Sequence, residues 1–470
     1  MVTRSDSLTL TPAHRAFRLL PFALLTALSL TVLFLYSSWN RPIWYDEFVY
    51  FSLGGLSDLQ EALAAIRDTT SNLNQGVTGA FMFADFLLLK SFGAELWAMR
   101  LPSLLTGAWM VMAGAVFLRF RGVGLWGLSV WPVLLMGQVT LMYYVGEART
   151  YMPLAGAVVG ALAYWSIPIG YRHRLWVRAL GWGSVLMGVA FHPYFAVYLP
   201  LIVIFGWFAF RLPVMKSDGL SATWRSFLNF CNPVLLAVAA TTYVVLALST
   251  WLQGTATKVN LDPYLFLTDP LWKSILAQLF QFAYVSRWAT AISVLGIAAL
   301  VVYAGISVGL RQVASRAWPP VAVLVLAFVS ALLISLVSLS QGFWIIPRQW
   351  IASIALASVS VIWLVVELVR MIPSSRVRLT ISMVFTGVIL FCAVAPTQSA
   401  VVTMREFSAR APAPASQLED LILLRSQGIF PAEQVWIDAA QSNIDAGGPV
   451  HPVFGDFYTA RDWRNFRLTD

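Results

Sequence analysis

VTGAFMFADFLLLKSF, residues 77–92, decides how this chain is threaded. The stretch reads as a membrane span, yet it is only 16 residues long, and a helix needs roughly 20 apolar residues to cross a bilayer. It also carries Asp85 at its centre, and a charge at mid-membrane costs roughly 2.5–3.5 kcal/mol on insertion scales. Counting it as a span would flip every loop that follows. Placed on the outer surface instead, it leaves eleven spans, near 19–38, 98–118, 124–142, 151–169, 178–192, 194–210, 232–251, 288–309, 320–339, 350–369 and 379–396. The loops that then face the cytoplasm carry Arg4, Arg15 and Arg18; Arg119 and Arg121; Arg172, Arg174 and Arg178; Arg211, Lys216 and Arg225; Arg311 and Arg316; and Arg370, Arg376 and Arg378. Only Asp6, Asp218 and Glu367 oppose them. That bias is what the positive-inside rule asks for. Segment 77–92 is therefore read as a partly embedded surface helix, and the N-terminus as cytoplasmic.

Composition agrees. The 470 residues are 59% hydrophobic and 11% charged, against about 45–50% and 25% for a soluble protein. There is too little polar surface to coat a soluble globule, which excludes a soluble enzyme, a disordered chain and a nucleic-acid module. The net charge of +9 is a topology signal, and no nucleic-acid partner is expected. Cys231 and Cys392 lie in or beside apolar runs and form neither a disulfide framework nor a metal spacing. No small-residue cleavage site follows the first run, which reads LYSSWNRP, so it is expected to be an uncleaved anchor.

Three larger pieces fall on the outer face: 39–97, 252–287 and the tail. In the first, Leu56, Leu59, Leu63 and Ile66 share one helical face behind an S-x-x-Q capping pattern at Ser57–Gln60, which predicts an amphipathic helix on the membrane surface. The expected organisation is a membrane-embedded domain, 1–396, and a small extracytoplasmic segment, 397–470. The tail opens with the linker APAPAS and continues with a helical stretch at 416–427 and a strand at Gln434–Asp438.

Chemistry-bearing residues crowd the same face. Asp46 and Glu47 stand in WNRPIWYDEFVYFSLGG, adjacent carboxylates among aromatic residues. Partial desolvation raises a carboxyl pKa toward the range of a general base; the same acids also suit an interfacial loop with Trp39, Trp44 and Tyr45 as aromatic anchors. LMYYVGEARTY places Glu147 and Arg149 at the outer end of the third span, either as a local ion pair or as a site wall where Glu147 meets sugar hydroxyls. Arg348, in GFWIIPRQWI, suits a lipid-linked phosphate through its bidentate fork, or snorkels to headgroups. His192, in FHPYF, lands outside as well. In 252–287, Lys258, Asp262, Tyr264, Asp269, Trp272, Lys273 and Arg287 mix charge with aromatics, a composition that suits a flap over a sugar or phosphate and equally any interfacial loop.

The order of these pieces resembles the membrane-embedded GT-C glycosyltransferases, specifically the protein O-mannosyltransferase and lipid A aminoarabinose transferase group. The matching residues are Asp46–Glu47 in the first outer loop, R-L-P-S at Arg100–Ser103 after Phe92–Gly93, E-A-R-x-Y at Glu147–Tyr151, and Pro347–Arg348 ahead of a late span. The resemblance covers most of 19–396. The resemblance implies an all-α polytopic GT-C fold, a sugar donor on a polyprenyl phosphate, an extracytoplasmic site and Asp46 as catalytic base. Many relatives open the second surface helix with Pro-Pro or His-Pro-Pro, where this chain reads NLNQGVTG at 72–79, and the tail here is short. Both departures bear on the acceptor.

The reading is therefore a glycosyltransferase in which Asp46, beside Glu47, takes the acceptor proton, and Arg348 with Lys273 or Arg149 holds the leaving phosphate, Glu147 and His192 lining the site. The acceptor is a lipid, glycan or protein hydroxyl. No GxGxxG or P-loop appears, as an enzyme using no cytoplasmic nucleotide requires. No cofactor is expected, although Asp46 and Glu47 offer hard oxygens to a divalent metal. A flippase or transporter would carry polar groups near the midplane and repeated halves. An O-antigen ligase or polymerase would put its key basic residues on a long late outer loop, whereas the longest outer loop between spans comes first here. A structural subunit would not need three acids outside. Six asparagines, at 40, 229, 232, 260, 443 and 465, open no N-x-[ST] sequon, which favours a bacterial inner membrane.

Overall fold

The computed structural model describes residues 28, 47, 59–72, 79–93, 96–211, 220–251, 267, 269–283, 287–340 and 345–391. The tail, the domain boundary at 396/397 and all of the first span except the helical Leu28 lie outside the described residues. Within them the chain is helical, with no strand. Two helices of the first outer loop come first, α1 (Leu59–Asn72) and α2 (Ala80–Phe92). The bundle follows as α3 (Leu96–Phe120), α4 (Leu125–Met136), α5 (Val139–Val145), α6 (Tyr151–Ser166), α7 (Leu175–Phe191) and α8 (Phe195–Gly206). After α9 (Leu220–Cys231) and α10 (Pro233–Trp251) come α11 (Leu271–Leu279), α12 (Arg287–Val308), α13 (Leu310–Ser340), α14 (Ile351–Arg370) and a last helix α15 at 375–391.

Among the described residues four helical segments are long and apolar enough to cross a membrane: Trp97–Phe120, Thr290–Val308, Leu310–Ser340 and Pro347–Arg370. The pair α9 and α10, bent by 53°, is apolar enough to make a fifth if the two act as one span. The expected span at 124–142 is broken. Gly137 and Gln138 interrupt it, leaving α4 at about 18 Å, short of the roughly 30 Å hydrocarbon layer. Side chains replace the helix bonds lost at the break. Gln138 donates to the Leu279 carbonyl oxygen at 3.2 Å and to Ser358 Oγ at 2.9 Å, and Thr140 N–H donates to Gln281 Oε1 at 3.0 Å. Irregular backbone at such depth is tolerated only where protein surrounds it. The same bonds pull α11 and the 3₁₀ turn Gln281–Ala283 into the bundle.

α6 is apolar on every side, and Met152 through Ser166 are all buried, so it occupies the centre, where a helix of that pattern belongs. Its glycines let α3 approach: a Cβ on Gly156 would stand 2.7 Å from the Thr106 carbonyl oxygen, the small-residue packing used where hydrophobic drive between helices is weak. α12 and α15 expose large apolar side chains such as Leu295, Ile306 and Phe391, as lipid-facing helices do.

Alternating helix direction sorts the loops onto two ends. At one, arginines close helix termini: Arg121 donates to the Ser166 carbonyl oxygen, Arg172 to those of Trp165, Ile167 and Phe230, and Arg370 to those of Arg121 and Gly122. α2 belongs to the opposite end. Phe81 meets Phe191 at the end of α7, with ring centroids 5.9 Å apart, and Phe92 meets Trp97 at the start of α3, so α2 begins and finishes on the same side. On α1 the leucines Leu59 and Leu63 face outward while Ala62 and Ile66 are buried, which splits the apolar stripe between a lipid-ready face and a packed one.

Candidate active site

Arg100 sits one turn into α3 and is 1% exposed. Its guanidinium forks onto Glu47, Nε to Oε1 at 3.0 Å and Nη2 to Oε2 at 2.8 Å. Glu47 Oε1 also accepts the Ala148 N–H at 2.7 Å. Three residues on, and so on the same helix face, Ser103 Oγ donates to the Glu147 carbonyl oxygen at 2.6 Å, with that of Arg149 at 3.2 Å. R-L-P-S is thus a two-point clamp. Its arginine holds the first outer loop, its serine holds the E-A-R loop, and Glu47 joins the two. A buried pair of this kind survives because its geometry is bidentate and further donors satisfy the carboxylate.

The second group lies around Tyr151, at the start of α6. The Arg149 guanidinium carbon is 5.8 Å from the ring centroid and that of Arg348 is 5.6 Å from it, so the two cations are no farther apart than the sum of those distances. Arg348 is carried by the 3₁₀ turn Pro347–Trp350, which Gln349 braces by accepting the Ile346 N–H at 3.3 Å. It turns inward over Tyr151 rather than out toward headgroups. His192 closes α7 and lies 5.4 Å from the Tyr151 ring and 4.8 Å from Tyr194. Burial, then the Arg149 charge, pushes its pKa down to about 3, so the imidazole is neutral. Its Nδ1 accepts the Tyr194 N–H at 3.2 Å, which leaves the proton on Nε2. Burial pushes the Tyr194 hydroxyl up to about 12 against the opposing effect of Ser338, whose Oγ lies 3.0 Å from it. Two permanent cations, a neutral N–H donor and a phenol therefore share one small region, an arrangement suited to an anion with several oxygens.

Of the sequence-derived candidates, Arg149, His192 and Arg348 meet at Tyr151. Glu47 and Glu147 meet at the clamp, both fully buried. Asp46, Lys258, Asp262 and Tyr264 lie outside the described residues. Lys273 is 46% exposed and pairs at 3.1 Å with Asp269, just ahead of its helix; none of its described contacts reaches Tyr151, although α11 packs against the turn that carries Arg348. Trp272 is exposed. Sequence reasoning missed Tyr194 as a neighbour of His192 and gave Asp85 only a topological meaning. Asp85 is fully buried on α2, and its position amid an apolar run was the available signal.

No family model matches the chain, and no curated protein matches it. Among solved structures it is similar to ArnT from Cupriavidus metallidurans bound to undecaprenyl phosphate, with 13% identity and a TM-score of 0.48 over 94% of this chain and 75% of that one. It is also similar to the apo state of the same protein, with 13% identity and a TM-score of 0.44 over 86% and 75%.

Proposed function

We propose that this chain is a membrane glycosyltransferase of GT-C type. It moves a sugar from a polyprenyl-phosphate carrier to an acceptor hydroxyl on a lipid, glycan or protein, at the extracytoplasmic face of a bacterial inner membrane. The observation that carries the proposal is the pair of guanidiniums, Arg149 and Arg348, gathered on Tyr151 beside a loop to which Glu47 is bonded. Asp46 follows directly before Glu47 in the chain, so the general base belongs to the segment that the clamp anchors.

In the proposed reaction Asp46 accepts the proton of the acceptor hydroxyl as its oxygen bonds to the anomeric carbon. The bond from that carbon to the phosphate oxygen breaks, and the leaving lipid phosphate takes the electron pair. Arg149 and Arg348 stabilise the negative charge that develops there, and the Nε2–H of neutral His192 adds an uncharged donor. Glu47 acts by position, and Glu147 contributes to the wall. Lys273 serves at the rim. The chemistry as written needs no metal or other cofactor, and no nucleic acid takes part.

The test is transfer from a polyprenyl-phosphate sugar by the purified protein in lipid nanodiscs, with the acceptor taken from glycans that differ between a deletion strain and its parent. Asp46→Asn keeps shape and removes basicity, so transfer should fall about 100-fold or more, the upper part of the range for one acid–base group. Arg348→Lys keeps charge and loses the fork, so it should fail almost as badly as Arg348→Ala. Near-normal turnover in Asp46→Asn, or full activity in Arg348→Lys, would refute the assignment.

A further inference from the structure

Asp85 has no role in the reaction just described, and its surroundings give it one. It lies on the packed stripe of α2 with Phe81, Met82, Phe86 and Leu89. It is 0% exposed, and neither carboxyl oxygen has a hydrogen-bond partner. A buried ionised carboxylate without donors is too costly to persist; such a group keeps its proton instead. Glu47 is the nearby charge that works in the same direction, and Glu47 is itself ionised, since it takes the Arg100 fork and the Ala148 N–H.

We propose that Asp85 is a positioning residue for the proposed transfer. As a neutral carboxylic acid it lets α2 pack against the Glu47–Arg100 clamp, and its ionisation loosens that clamp and the site built on it.

The charges around it bear this out. Glu47 comes from the first outer loop and Arg100 from α3, where its fork is already engaged. α7 packs on α2 as well, and the histidine that ends it, His192, is neutral. On α1 the described acid, Glu61, is exposed. On α2 itself Lys90 is exposed, over the Phe86 ring. When Asp85 is protonated, Glu47 is the charged neighbour that acts on it, and Glu47 is itself held by Arg100. When Asp85 gives its proton to water, a second negative charge acts on the carboxylate that Arg100 holds. The folded state resists that ionisation, first through burial and then through Glu47, while the unfolded chain does not. Stability therefore falls as pH rises above the usual Asp range and stops falling only above the raised folded value.

This rests on the site assignment above for its link to transfer, but its test does not. Thermal unfolding of the purified full-length protein in detergent would be followed from pH 5 to pH 10 for wild type, Asp85→Asn and Asp85→Leu. Both variants remove the ionisation. Each should gain Tm relative to wild type as pH rises, by several degrees at the alkaline end. In transfer assays Asp85→Asn should lose the alkaline limb attributable to this carboxyl. A pH-independent Tm difference would overturn the proposal and leave Asp85 a packing residue, with the glycosyltransferase reading intact. Should neither variant fold, infrared spectra of the wild-type protein decide. The carbonyl stretch of a protonated carboxyl at neutral pH, lost on alkaline titration, supports it; absence of that band refutes it.

Discussion

Separating Glu47 from Arg100 should break the molecule before it breaks the chemistry. The Arg100 guanidinium is 1% exposed and the Glu47 carboxylate 0% exposed, so removing either side chain leaves its opposite charge deep in protein. Breaking a buried pair in this way costs about 3–5 kcal/mol. Glu47→Leu and Arg100→Leu should each lose that much in denaturant unfolding in mixed micelles. The two losses should not add. In Glu47→Leu/Arg100→Leu both charges are gone, and among the described groups the one left behind is the Ala148 N–H that Glu47 Oε1 accepts at 2.7 Å. Stranding one buried backbone donor costs about 1–3 kcal/mol, so the double variant should be more stable than either single one. Transfer should stay lost in the double variant, because the first outer loop no longer has its bond to the E-A-R loop. Single variants within about 1 kcal/mol of wild type, or an additive double variant, would refute the clamp. The contrast with Asp46→Asn is the sharper point: that variant should lose transfer while its stability stays near normal.

Two further outcomes follow from the same geometry. His192 has a folded pKa of about 3, below its unfolded value of about 6.5; the unfolded state binds its proton first, so stability is lost as pH falls below about 6.5, and His192→Gln should flatten that acid limb in a Tm-against-pH series. Cysteine at Ser57 should react with an impermeant thiol reagent in intact spheroplasts, whereas cysteine at Ser374, exposed at the arginine-rich end, should react only after lysis; the reverse pattern would put the site on the wrong side of the membrane.

Much of the fold was legible because hydrophobic runs and loop charges obey simple physics. α3, α6, α7, α12 and α14 lie where apolar runs predicted spans, and three of the arginines assigned to one face, Arg121, Arg172 and Arg370, gather at one end of the bundle. The break at Gly137–Gln138 was not legible. Its polar residues are few, and their partners on α11 and α14 lie some 140 and 220 residues away in the chain. The meeting of Arg149, Arg348 and His192 was legible as a shared face but not as a shared ring, since nothing in the spacing of three separate loops singles out Tyr151.

Asp85 shows why a residue can be read correctly and still be understood only in part. In the sequence its charge argued that segment 77–92 does not cross the membrane, and α2 does begin and end on one side. That argument treated the carboxyl as ionised, because the penalty that excludes it from the bilayer belongs to the charged form. In the folded protein the same penalty acts in a protein interior instead of lipid, and burial with Glu47 nearby shifts the balance toward the neutral acid. One desolvation cost thus sets both where the helix lies and which proton it keeps. The second consequence depends on Glu47, 38 residues earlier in the chain, being bonded to Arg100 and Ala148. Those contacts are made across separate outer loops, and no local pattern encodes them.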